Sequence, residues 1–288
     1  MRKPCSPVTD SLRAIVLGYI LFFIAGYEST TEFARWCDRW WRSRHPFTPE
    51  QSKPNSKWFD LLRGAWPRKP CSRELLDDFP TLARAYENPL WTVLSWPSRS
   101  VDLAELFVRR VRVNGECLLP FTCKGMESLC GYPDWTRLAY LVALLRTRAP
   151  EYALHRLWLS KHFSSYVLLV CLVKPCCACS SHLYRHLHTL YLLGALGAVD
   201  YWPGHLQSFH EALEERELLW EALAENNWFS TWDVQSVTML WRLQLEPQLR
   251  ALLKARFAKG QSDCPRGLQR RVQTIINQHQ KAVIELVT

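Results

Sequence analysis

The sequence predicts an all-α protein, and three features of composition and patterning indicate this fold class. An unbroken apolar run extends from Ala14 to Ala25, which is too long for a strand and apolar on every side. Glycine is scarce, at 11 of 288 residues, while leucine and alanine are plentiful. No regular alternation of apolar and polar residues persists for more than a few positions. A chain of this length has room for two all-helical units of about 100–130 residues.

The first two helices are the most clearly defined elements. The apolar run predicts a helix that is buried on all sides, and Gly26 is a suitable stop for it. Ser29, Thr30 or Thr31 can cap a second helix, which continues to Trp41. These segments would form a helical hairpin around which the first unit is built.

Each of these helices carries a charge that needs a partner. Arg13 lies just inside the apolar helix, and Asp38 lies near the end of the next. An unpaired buried charge costs several kcal/mol, so a buried arginine requires a carboxylate. If the helices are antiparallel, the two residues fall at the same end, and we predict an ion pair between Arg13 and Asp38.

The same apolar helix permits a different interpretation as a targeting segment. Met1–Lys3 followed by Ala14–Ala25 is similar to a charged leader and the apolar core of a secretory signal. Asp10 and Arg13 immediately before the run, and the lack of a clean small-x-small cleavage site, favour a core helix instead. A single membrane span is less favoured, because the run is shorter than the ~20 residues needed.

The remaining elements are also predicted to be helical. Residues 45–57 contain three prolines and should be a loop. Pro89 should kink an otherwise helical stretch over Thr81–Trp96. The other predicted helices are Trp58–Trp66, Val101–Val111, Asp134–Thr147, Glu151–Phe163, Tyr166–Val173, His182–Val199, His205–Asn226, Trp232–Leu245 and Leu249–Phe257.

The opening helices resemble the first two helices of the cyclin box. The resemblance lies in Leu12–Val16 with Tyr19, followed by Asp38-Arg39-Trp40. In cyclins an Arg-Ala-Ile-Leu run pairs with an Asp-Arg-Phe-Leu motif. The resemblance implies two tandem cyclin-like boxes of about five helices each, as in a divergent cyclin of the fish-retrovirus type. The predicted ranges are boxes at 10–112 and 113–257 and tails at 1–9 and 258–288.

Two later positions extend the resemblance to the surface that cyclins present to a cyclin-dependent kinase. In that family the third helix ends in a Lys and the fifth carries a Glu, and together they grip the kinase. Lys69 and Glu87 fall at matching places. Charges set the orientation of such an interface, and apolar burial supplies the affinity. The resemblance therefore predicts a kinase-binding face formed by Trp58, Phe59, Trp66, Lys69, Glu87 and Trp91.

The resemblance also implies a peptide-docking groove on the first helix. Leu12, Ile15, Val16 and Tyr19 correspond to the shallow groove through which cyclins recruit Arg-x-Leu peptides. Gly18 stands where the family has an acidic residue. The alternative interpretation, which we favour, is simple packing of this helix against its neighbours.

A cluster of cysteines and histidines raises the question of a zinc site. Cys171, Cys176, Cys177 and Cys179 precede His182 and His186, which are the ligand types that zinc prefers. Cys176 and Cys179 have the C-x2-C spacing of a zinc knuckle, but the segment directly follows an apolar stretch, where buried structural cysteines are the commoner finding. Buried, reduced cysteines are therefore the favoured interpretation, and no metal site is predicted.

The functional class implied by the resemblance is regulatory and non-enzymatic. The chain has no phosphate-binding glycine loop and no nucleophile motif, so neither an enzyme nor a cofactor is predicted. We expect a nuclear, and also cytoplasmic, protein that binds a host cyclin-dependent kinase and redirects cell-cycle or transcriptional control. The alternative is a helical adaptor that bridges other proteins without a kinase.

Charge and composition define the other expected partners. The net charge of +9 fits acidic partners, but no long basic block occurs, so direct nucleic-acid binding is not favoured. No membrane partner is expected either. The acidic and aromatic segment Glu211–Glu225 is most simply an amphipathic helix, and an alternative role for it is recruitment of the transcription machinery.

Overall fold

The structure, a computed structural model, describes most of the chain and is mainly helical. It covers residues 7–49, 52–97, 100–113, 115–173, 176–225 and 234–245, with the single positions 255, 266, 267 and 270. Of these described residues, 73% are helical and 2% lie in strands, which confirms the all-α prediction. The predicted tail at 258–288 and the helix predicted over 249–257 lie outside the described residues, apart from those single positions.

Thirteen α-helices and one short hairpin account for the described secondary structure. The helices are α1 (Pro7–Ala25), α2 (Thr30–Arg44), α3 (Ser56–Leu62), α4 (Cys71–Asp78), α5 (Pro80–Tyr86), α6 (Pro89–Ser95), α7 (Val101–Val108), α8 (Cys123–Cys130), α9 (Trp135–Arg146), α10 (Ala153–Leu172), α11 (Ser180–Leu192), α12 (Leu206–Glu225) and α13 (Val234–Leu245). Two 3-10 turns, Pro150–Tyr152 and Cys176–Cys179, precede α10 and α11. Strands β1 (Arg112–Val113) and β2 (Glu116–Cys117) pair antiparallel.

The chain divides into two compact units, each with its own core. The first unit contains residues 1–96 and 174–189, and the second contains residues 97–173 and 190–288. The first unit is thus assembled from two separate stretches of the chain, whereas the predicted boxes at 10–112 and 113–257 were each continuous.

Helix α1 is the centre of the first unit. It contacts α2, α3, α5, α6 and the 3-10 turn Cys176–Cys179. Leu17 and Leu21 are fully buried, and a Cβ at Gly18 would lie only 3.1 Å from Leu61 Cγ, so α1 and α3 pack closely. Residues 7–9, predicted as tail, already belong to this helix. Because one helix supplies a face to each of several short ones, its apolar residues on all sides find partners.

By length and apolar composition, α1 also meets the requirements for crossing a membrane. Core helices of soluble proteins and signal sequences meet the same requirements, and half of the apolar window of α1 is buried within the structure. The partly exposed Phe23 and Ile24 lie at its C-terminal end, next to Gly26.

Several helix boundaries depart from the predictions for local physical reasons. The stretch predicted as one kinked helix forms α5 and α6. Helix α5 ends at Glu87, and Asn88 caps α6 by accepting a bond of 2.9 Å from Leu90 N at its Oδ1. Conversely, the two helices predicted over 151–173 form the single helix α10. The serines between the predicted helices have modest helix propensity and do not break a helix whose buried face continues through them.

The core of the second unit is formed mainly by α9 and α10. Helix α9 packs against α7 and α10, and α10 also contacts α12 and α13. Tyr166 on α10 is fully buried and donates a hydrogen bond of 2.9 Å to the carbonyl of Cys130, which ties it to the end of α8. Helix α9 is capped by Asp134, which accepts from Arg137 N at 2.8 Å.

Candidate protein-binding face

Lys69 and Glu87 are both exposed residues of the first unit. Lys69 lies in the segment that follows α3, and Glu87 is the residue at which α5 ends. The chain leaves α3 through Gly64, whose φ of +103° is accessible mainly to glycine. The Glu87 amide donates to the carbonyl of Ala83 at 3.1 Å, which fixes its backbone at the last turn of the helix.

Aromatic contacts bring the two segments together. Trp66, three residues before Lys69, lies against Tyr86, immediately before Glu87, with ring centroids 5.8 Å apart and planes inclined by 31°. The Arg13 guanidinium carbon lies 4.6 Å from the centre of the same Tyr86 ring. We call the surface formed by Trp66, Lys69, Tyr86 and Glu87 the Lys69–Glu87 face. The contact between Trp66 and Tyr86 thus connects the segment that contains Lys69 with the segment that contains Glu87.

The predicted ion pair between Arg13 and Asp38 is not formed. Arg13 Nη2 instead lies 2.7 Å from Asp10 Oδ1, one helical turn earlier on α1. The Asp38 carboxylate accepts from Trp58 Nε1 at 2.7 Å and from the Asn55 amide at 2.9 Å. The carboxylate three residues away was a nearer partner for Arg13, and neutral N–H groups satisfy Asp38.

Two of the predicted kinase-contacting tryptophans lie in the interior. Trp58 is 0% exposed and Trp91 is 2% exposed, so neither can contact a partner in this structure. Trp91 Nε1 donates to the carbonyl of Ala85 at 2.7 Å. Phe59 and Trp66 are half-buried and keep some surface. Trp58 and Trp91 therefore support this region from within.

The predicted peptide-docking groove is mostly packed. Leu12, Ile15 and Val16 are buried and Tyr19 is half-buried. Leu12 and Ile15 still reach the floor of a cleft of about 410 Å³, which is also lined by Pro7, Val8, Ser11, His182, Arg185, His186 and Thr189. Val16 and Tyr19 are not among the residues that line it. Of the four predicted groove residues, Leu12 and Ile15 thus line the cleft, and Val16 and Tyr19 do not.

The cysteine and histidine segment contains buried thiols. Cys176 and Cys179 are buried, and the Cys179 thiol donates to the Cys176 carbonyl at 3.2 Å. Burial raises the pKa of Cys179 to about 12, so its thiol holds its proton at neutral pH. Within the described part of the chain, no group of three or more His, Cys, Asp or Glu side chains is arranged to hold a metal ion.

Helix α2 carries a basic surface that the sequence motifs did not predict. Arg35, Arg39 and Arg42 follow one another at spacings of four and three residues, which places them on one helix face. Together with Lys57 they line an open cavity that we call the basic cleft. The arginine spacing was visible in the sequence, but the cavity also requires lining residues that follow α2, including Thr48, Pro49 and Pro54.

Comparison with known proteins yields no match to this chain. No family model matches the sequence, and the searches of curated proteins and of solved structures likewise give no match.

Proposed function

We propose that the chain is a divergent cyclin-like regulatory protein that binds a host cyclin-dependent kinase through the Lys69–Glu87 face. The observation that supports this most directly is the contact of Trp66 with Tyr86, because it holds the segments bearing Lys69 and Glu87 side by side. Both charged residues are exposed, as a docking pair must be. The order of the motif residues along the chain is the second support.

Binding at this face would combine charge and apolar burial. A lysine and a glutamate of opposite sign orient a partner that carries the complementary charges, and they penalise partners that do not. The exposed parts of Phe59 and Trp66 supply apolar area next to the charges. Buried Trp58 and Trp91 make the supporting helices rigid, which reduces the entropy lost on binding.

The proposed outcome of binding is a change in the activity or destination of the kinase. The protein itself would carry no catalytic group and would act in the nucleus and also in the cytoplasm. Redirected cell-cycle or transcriptional control follows from the choice of partner, and the transcription machinery is a second class of partner under this proposal.

Co-purification from eukaryotic cells tests the proposal. The amount of kinase recovered with the tagged double variant Lys69→Ala/Glu87→Ala should fall at least about tenfold. The reason is that each exposed residue of a docking pair contributes on the order of 1 kcal/mol to binding. The matched control is Glu116→Ala/Lys124→Ala, an exposed glutamate and lysine of the second unit. Far-UV circular dichroism should be unchanged in both. Equal kinase recovery with the Lys69→Ala/Glu87→Ala variant would disprove the docking face.

A helical adaptor without a kinase is the second candidate function. It is favoured by exposed apolar side chains of the second unit, where Leu192, Leu193 and Tyr201 all face solvent. Clustered exposed apolar residues typically mark protein-binding sites. If the chain is such an adaptor, the same co-purification should recover no kinase. The proteins that it does recover should be lost with Leu192→Ser/Leu193→Ser and retained with Lys69→Ala/Glu87→Ala.

A further inference from the structure

The basic cleft of the first unit concentrates positive charge in one concave site. Arg35, Arg39 and Arg42 of α2 line one side, and Lys57 of α3 lines the other. The cavity measures about 470 Å³, and Trp41, Pro49 and Pro54 contribute apolar walls. A site of this size accommodates one charged group together with the chain atoms that flank it.

Three of these cations have no carboxylate partner among the described residues. Arg35 makes no hydrogen bond or ion pair there, and Arg39 donates to the neutral Tyr27 hydroxyl at 3.2 Å. Lys57 Nζ lies 4.3 Å from the Trp41 ring centre and 4.4 Å from that of Trp58. These cation–π contacts position the ammonium at the edge of the cleft.

Asp38 contributes one negative charge to the described cleft lining, against the four cations. Both oxygens of Asp38 accept hydrogen bonds, from Trp58 Nε1 and from the Asn55 amide. By contrast, Arg44, one helical turn beyond Trp41, is paired with Asp78 outside the cleft. The Arg44 charge is therefore compensated outside the cleft and does not add to the charge of the cavity.

We propose that the basic cleft binds a phosphate monoester carried by a peptide. Arginine forks and a fixed ammonium match the tetrahedral oxygens and the charge of about −2 of such a group. Binding would also relieve the repulsion among cations held close together. Trp41, Pro49 and Pro54 offer apolar contact to the residues beside the phosphorylated side chain. A nucleic-acid strand would instead need a track of cations along its backbone.

This site is independent of the proposed kinase-binding role, because it shares no residue with the Lys69–Glu87 face.

A peptide titration tests the proposed site. Full-length protein with ¹⁵N-labelled tryptophan is titrated with a short Gly-Ser peptide bearing one phosphoserine and with its unphosphorylated twin. Trp41, which lines the cleft, reports binding through its indole signal, assigned with Trp41→Phe. We expect a saturable shift with the phosphopeptide at millimolar concentration, no shift with the twin, and weaker binding as NaCl is raised.

Charge-neutral variants identify the binding groups. Arg35→Gln/Arg39→Gln should weaken phosphopeptide binding at least about tenfold, whereas Arg84→Gln/Arg148→Gln, at exposed arginines outside the cleft, should leave it unchanged. The single variant Arg35→Gln should weaken binding less and serves if the double variant loses helicity. Equal binding of the twin, or equal binding by the cleft and control variants, would overturn the site. Tighter binding of inorganic phosphate or of a single-stranded oligonucleotide would overturn its assignment to a phosphopeptide.

Discussion

The hydrogen bonds of Asp38 show how a single carboxylate on α2 connects this helix to α3. Its two oxygens accept from a fully buried indole and from the amide that begins the turn into α3. A buried N–H group without an acceptor loses its hydration and gains nothing in return. Asp38 therefore fixes both the Trp58 side chain and the backbone at Asn55.

Replacing Asp38 tests this role. Asp38→Ala should lower the free energy of unfolding by about 2–3 kcal/mol, because the Trp58 and Asn55 N–H groups are left unpaired. Asp60→Ala is the matched control: its carboxylate makes an exposed ion pair of 3.6 Å with Arg63, which is worth under about 1 kcal/mol. Urea unfolding followed by tryptophan fluorescence measures both. A cost for Asp38→Ala no larger than that of the control would contradict the assigned role.

At this scale the sequence identifies which residues need partners but not which partners they find. Arg13 and Asp38 stand out because charges are costly near apolar surfaces, and both do make specific contacts. The partner of Arg13, Asp10, lies only one helical turn away in sequence, whereas the partner of Asp38, Trp58, lies 20 residues away. The choice between such partners depends on the angle at which the helices meet, and local patterns do not record that angle.

The turn after α3 is an element whose shape depends on one glycine. Gly64 has a φ of +103°, and a Cβ there would overlap the Ser11 hydroxyl and lie 3.1 Å from the Ser11 carbonyl oxygen. The turn thus lies directly on the first part of α1 before the chain reaches Trp66. Its position determines where the Lys69 segment begins.

Comparing two glycines separates backbone strain from steric overlap. Gly26→Ala should cost about 1 kcal/mol, since φ is +71° but a Cβ there meets nothing within 4 Å. Gly64→Ala should cost clearly more, about 3 kcal/mol, because overlap with Ser11 adds to the strain. Thermal unfolding of both variants measures the difference. If both glycines cost the same, the turn does not pack on α1 as described.

Among the elements, helix starts were predictable and helix interruptions were less so. Ser29 caps α2 by accepting from Thr31 N at 3.2 Å, and Asp134 caps α9, both at positions where the sequence predicts helix starts. Pro89 was recognised as a disruption, but its effect was a new helix at its first turn, since proline there loses no hydrogen bond. The hairpin β1–β2 is too short to leave an alternating pattern.

On the scale of the whole molecule, the first unit is completed by a segment from the middle of the chain. Residues 174–189 join residues 1–96, although more than seventy residues of the second unit lie between them. Periodicity and capping signals describe neighbours in sequence and carry no information about such returns. The predicted boundaries therefore followed the order of the chain rather than the grouping of helices in space.

Removing α1 tests whether the first unit depends on this helix. A chain that begins at Gly26 lacks the buried residues Leu12, Leu17 and Leu21, and losing even one such side chain costs about 2–5 kcal/mol against a total stability of about 5–15 kcal/mol. We expect the first unit to unfold, with loss of helicity beyond that of α1 itself and a red shift of the emission of the now exposed Trp58. A chain that begins at Pro7 retains all of α1 and should behave like the full chain. If the shorter chain kept its remaining helicity and its blue-shifted emission, α1 would be dispensable to the core, as expected of a leader or a membrane segment.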